Sequence, residues 1–199
     1  MGDGMNEAYF EPMIGTRYYD TRVLILSESA YSWGEGAEQI NPGPSHPTSN
    51  LRHWGIDNLR KRGYYTVMGR ALCGKKAPSA PELEQAWSNY SYTIFVQGTV
   101  GKTWKSRPTK AQWQEAKAQF TSLIENIRPL KVIVTGKTIW RNLPEFTGPE
   151  RSTDLKAYRL SDGSLVWCLA LRHPSRGVRW EELGGSIRSF RSLDLPQRG

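Results

Sequence analysis

Only two cysteines, Cys73 and Cys168, occur among the 199 residues, and they form no Cys-x-x-Cys pair. A four-thiolate zinc site or an iron–sulfur cluster therefore cannot be assembled from this chain. Cys168 lies inside an apolar run and reads as a small buried hydrophobe. The three histidines, His46, His53 and His173, match no zinc spacing, so no metal and no other cofactor is expected. Long apolar stretches are missing as well. No window approaches the roughly 18 apolar residues of a membrane span. The N-terminus, with Asp3 and Glu7, lacks the apolar segment of a secretory leader. These absences predict a cytoplasmic protein with no membrane partner.

Acidic residues are in deficit, 19 Asp and Glu against 27 Lys and Arg. A positive excess of that size points to a polyanionic partner, nucleic acid first. Eight tryptophans and nine tyrosines offer flat faces on which bases stack, although most of them belong to a core. A complete phosphate-binding P-loop is absent. Gly101-Lys102-Thr103 and Gly136-Lys137-Thr138 imitate its end, but the glycine required five residues earlier is replaced by Val96 and Lys131. Lys102 and Lys137 remain candidates for contacts to a DNA backbone.

The length suits one domain with a core of its own, over 9–199, behind a loose tail at 1–8. Apolar patterning predicts strands at 22–26, 92–96 and 131–135, and a hairpin of 157–160 with 165–171 around Asp162-Gly163. Helices are predicted at 50–61 with Ser49 as cap, 82–87, 110–127 capped by Thr109, 138–142 and 180–193, with 64–72 ambiguous. Residues 34–47, rich in Gly, Pro, Ser and Asn, read as a long loop. Strands alternating with helices give an α/β fold, a three-layer α/β/α sandwich on a mainly parallel four-stranded sheet.

Two segments carry most of the functional message. Val23-Leu24-Ile25-Leu26-Ser27-Glu28-Ser29-Ala30-Tyr31 and Trp167-Cys168-Leu169-Ala170-Leu171-Arg172-His173-Pro174-Ser175-Arg176-Gly177 are apolar runs that break into polar turns. In an open α/β sheet the carboxyl ends of the strands face the ligand crevice, so Glu28 and His173 meet there although the chain separates them widely. Pro174 keeps His173 out of a helix and ends its strand sharply.

The pair Ser27-Glu28-Ser29-Ala30-Tyr31 and His173-Pro174-Ser175-Arg176-Gly177 resembles the two signature segments of the uracil-DNA glycosylase superfamily. The resemblance in order of elements runs from Arg22 to Phe190. It implies a monofunctional DNA glycosylase acting as a monomer on double-stranded DNA. Such an enzyme flips a base from the stack, hydrolyses its N-glycosidic bond and leaves an abasic site. His173 would stabilise the leaving base, with Ser175 contacting substrate, and Glu28 would orient water or support the sugar cation. Arg176, Val178 and Arg179 would sit on the loop that enters the duplex.

The departures from the family pattern are specific. Ser29 stands where the family carries its water-activating acid or amide, and Glu28 precedes it. Gln97 is the nearest amide to the asparagine that reads the base edge. Tyr31 matches the tyrosine that excludes substituents at C5. The substrate expected is a modified pyrimidine, such as hydroxymethylated or glucosylated cytosine in phage DNA, which would give the protein a role in antiviral defence. The alternatives are plain uracil in DNA repair, a catalytically inactive binder of modified DNA, and a hydrolase of free nucleosides or nucleotides.

Overall fold

The computed structural model describes residues 10–30, 46–58, 63–98, 100–101, 105–175 and 177–198. Among these, seven strands form one mixed sheet: β1 (Met13–Ile14), β2 (Val23–Ser27), β3 (Tyr90–Ile94), β4 (Lys131–Thr135), β5 (Glu150–Ser152), β6 (Leu155–Arg159) and β7 (Leu165–Leu171). Their spatial order is β1-β3-β2-β4-β7-β6-β5. The middle run β3-β2-β4-β7 is parallel throughout. The remaining three strands are antiparallel additions at the two edges. The α/β class stands, but the sheet is larger than the four strands expected. β6 is the hairpin partner of β7, whereas β1 and β5 have only 2 and 3 residues and show no alternation to read.

The helices are α1 (Tyr18–Thr21), α2 (His46–Asn50), α3 (Gly63–Cys73), α4 (Ala80–Trp87), α5 (Lys110–Ile127), α6 (Lys137–Asn142) and α7 (Trp180–Ser192). A π-helical segment, Leu51–Asp57, continues α2 directly. No described helix is long and apolar enough to cross a membrane.

Strands buried on both faces are predominantly apolar, and alternate residues then feed two cores. Val23 and Ile25 of β2 join Ile133, Trp167 and the inner sides of α3, α4 and α7. Leu24 and Leu26 join Val132, Val134, Cys168 and the inner sides of α5 and α6. Cys168 is completely buried, and burial pushes its thiol pKa up. In α5, Thr109 accepts from the Gln112 amide at 3.2 Å and Gln112 accepts from the Thr109 amide at 2.9 Å, a reciprocal cap. Phe120 of α5 meets Phe95 and Tyr158 edge-on at 5.7 and 5.5 Å. Phe120→Ala is expected to cost about 3–5 kcal/mol in urea denaturation. A loss near zero would mean that this face of the sheet is not closely packed.

At the amino edge of the sheet two arginines end helices in the left-handed conformation, Arg22 at φ 50 after α1 and Arg128 at φ 48 after α5. Arg22 Nε donates to the Arg128 carbonyl at 2.9 Å. The Arg22 carbonyl in turn accepts from the amides of Leu130 and Lys131 at 2.8 and 3.2 Å. The two arginines thus latch the start of β2 to the start of β4.

The structure corrects several expected boundaries. β2 begins after Arg22, because that residue caps α1. The helix expected at 50–61 begins at His46 instead, so Ser49 lies inside it and not at its cap. Pro47 occupies the first turn, where a proline forfeits no intrahelical bond, and it is not loop punctuation there. Residues 59–61, the tail 1–8 and the loop up to 45 lie outside the described residues. β3 starts two residues earlier than expected. Beyond its end, Phe95 and Val96 still donate to the Ser27 and Glu28 carbonyls at 2.8 and 2.9 Å.

Candidate active site

The chain leaves β2 toward β3 on one side of the sheet, then crosses to β4 on the other. The reversal places a topological switch point between β2 and β4, where open α/β sheets bind ligands beyond the carboxyl ends of their strands. Glu28 and Ser29 follow β2, Gln97 follows β3, Gly136 and Lys137 follow β4, and His173 and Ser175 follow β7. Glu28 and His173 thus stand on either side of the end of β4. Two strand spacings separate those strands, roughly 10 Å, which leaves room for a planar ring between the side chains.

His173 is half-buried and held from three directions. Its Nδ1 accepts the Ser175 backbone N–H at 3.3 Å and lies 2.8 Å from the Ser175 hydroxyl. A backbone amide can only donate, so the proton of the neutral ring resides on Nε2. The ring packs against Tyr64 with centroids 5.6 Å apart and planes at 53°. Gly136, at φ 147, lies beneath it, and a Cβ built there would stand 3.7 Å from His173 Cδ2. Gly63, the first residue of α3, lies against Ser175.

Beneath this layer runs a buried chain of hydroxyls. Thr135 donates to the Leu26 carbonyl at 2.8 Å and lies 3.2 Å from the Tyr64 hydroxyl. Ser27 lies 3.0 Å from the Tyr92 hydroxyl, which is 3.0 Å from that of Tyr65. Burial pushes the Tyr64 phenol pKa well up, Tyr92 adds to the rise, and the bonds to Thr135 and Ser27 offset part of it. Burial likewise raises Tyr92. These groups stay neutral, so the chain carries hydrogen bonds and no charge.

The other sequence-selected residues divide. Glu28 is half-buried, and its neighbour Ser29 carries a buried hydroxyl with no hydrogen-bond partner among the described residues. Gln97 reaches the same rim, but its carbonyl accepts from the Phe10 amide at 2.7 Å and its amide donates to the Ile94 carbonyl at 2.5 Å. Both ends are engaged with backbone, so Gln97 does not present a whole amide to the crevice. Lys137 pairs with Asp154. Arg179 is exposed at the start of α7, with Glu181 and Glu182 each 3.9 Å away. Val178 is half-buried and packs against the core on the α3 and α7 face. Tyr31, Lys102 and Arg176 lie outside the described residues. No group of three His, Cys, Asp or Glu residues converges among the described residues to hold a metal ion.

Sequence reasoning passed over Tyr64 and Thr135, and read Gly136 only as part of a P-loop-like tripeptide. The Tyr64-Tyr65 pair was a usable signal, since two adjacent tyrosines at the start of an uncertain helix send one ring to the core and one toward its rim. No known protein-family model matches the chain, and no curated protein matches its sequence.

Proposed function

We propose that this protein is a monofunctional DNA glycosylase with a uracil-DNA-glycosylase-like fold, excising a modified pyrimidine from double-stranded DNA. The observation that carries the reading is the placement of Glu28 and His173 on either side of the β4 end, at the switch point. Breaking an N-glycosidic bond leaves a cationic sugar and an anionic base, and a catalyst must stabilise both. His173 supplies the donor for the base, because the Ser175 amide occupies Nδ1 and leaves the ring to donate through Nε2. Glu28, on the opposite side, supports the sugar cation or orients the attacking water. The buried Ser29 hydroxyl beside it is a polar group positioned to hold that water.

No step in this reading requires a metal, and among the described residues no lysine is placed as a covalent nucleophile, so the expected product is an abasic site. The positive excess of the chain suits a duplex better than a free nucleoside. The modified pyrimidine is favoured over uracil because Ser29 replaces the family's acid and Gln97 spends its amide on backbone. A release of bulky phage cytosines would make the protein a defence enzyme.

The test is a panel of matched labelled duplexes containing uracil, hypoxanthine, 5-hydroxymethylcytosine or its glucosylated form, scored for alkali-labile strand scission. Scission at either modified cytosine is the expected result. Efficient release of uracil alone would replace the substrate and restore the repair reading. Tight binding without scission at any base would make the protein a reader of modified DNA.

A further inference from the structure

We propose that Tyr64 is a positioning residue for His173, tethered through its hydroxyl to the strand end that also forms the floor beneath the imidazole. The proposal rests on the reading of His173 as the group that meets the leaving base.

Proton accounting fixes the direction of the tether. The Thr135 hydroxyl has one proton, and the Leu26 carbonyl takes it at 2.8 Å. Toward Tyr64, at 3.2 Å, Thr135 is therefore the acceptor and the phenol the donor. A buried hydroxyl is costly unless bonded, and phenylalanine would pack the ring equally well without that demand. The hydroxyl donates its proton to Thr135, the residue immediately before Gly136, with Ser27 as a second neighbour on its lone pairs. Gly136 is the floor under His173, and the Tyr64 ring is the wall beside it. Wall and floor are thereby joined to one point of β4, and they keep their spacing if the strand end shifts. Ser175 sets the remaining freedom, rotation of the ring about Cβ–Cγ, through two contacts to Nδ1.

A residue that only filled space would leave the imidazole unaffected when its hydroxyl is removed. The experiment is long-range proton–nitrogen correlation of the histidine rings in full-length protein, with His173 assigned through His173→Ala. Tyr64→Phe and Thr135→Val each keep the shape and break the tether. Both are expected to shift the His173 nitrogens toward mixed tautomers while His46 and His53 stay unchanged. Thr135→Ser, which keeps the acceptor, is expected to match the parent spectrum. In base release the two disruptive variants are expected to lower kcat roughly 10- to 100-fold with KM within about twofold, the scale of a misplaced catalytic group. Unchanged His173 nitrogens in both disruptive variants would overturn the proposal whatever the activity. Shifted nitrogens in a protein that releases no base would uphold the tether and remove the glycosylase reading.

Discussion

His173→Ala is expected to slow base release by at least about 100-fold, the usual scale for deleting one anion-stabilising donor. The effect falls on the chemical step. In the proposed mechanism the lost group meets charge that exists only as the bond breaks, so duplex affinity should stay within a few-fold of the parent. Single-turnover kinetics separate the two quantities. The same substitution leaves Ser175 without its ring partner, but that residue is exposed and its loop is anchored by the buried Pro174. Folding should therefore survive. An alanine variant with full activity would take His173 out of the mechanism and leave Glu28 without its counterpart.

The second large effect is on binding. A protein that neutralises 6–10 phosphates loses about 10³- to 10⁵-fold in duplex affinity between about 50 and 200 mM salt. This chain, at +8, is expected to show a log–log slope of several units in fluorescence anisotropy with a short duplex. Lys137 contributes less than its formal charge while Asp154 holds it, and Glu181 and Glu182 dilute Arg179 in the same way. Replacing Lys102 and Lys137 together should flatten the slope without altering which base is released. Affinity insensitive to salt would favour hydrolysis of a free nucleoside or nucleotide.

How much of this was legible beforehand depended on how each signal is written in a chain. Parallel strands buried on both faces run mostly apolar, so residues 23–26 of β2 and 132–134 of β4 stood out in the residue order, whereas β3, with Ser91 and Thr93 inside it, was placed two residues late. Helix α5 announced itself through Thr109 and a stripe of apolar residues. The placement of Glu28 and His173 at one sheet edge followed from the rule for strand ends and needed no contact information. The edge strands β1 and β5 were invisible, because two or three residues carry no period. Gln97 misled for a different reason: an amide near a crevice looks like a reader of bases, yet its partners are the Phe10 amide and the Ile94 carbonyl, which no local pattern announces. The tether from Tyr64 to Thr135 was hidden on the same grounds, since it joins a helix to a strand far along the chain.

The latch between Arg22 and Arg128 lies at the edge of the sheet farthest from Glu28 and His173, and it acts there as a ruler. It fixes where β2 and β4 begin relative to one another, and each strand then runs 5 residues to the opposite edge. A slip of one residue would turn every side chain of the strand to the other face, so the latch and the buried faces specify the same register. The spacing between the groups that follow β2 and β4 is thus metered from a distance. The turns at the carboxyl edge are left out of that measurement. Their length and chemistry can vary without disturbing the register of β2 on β4.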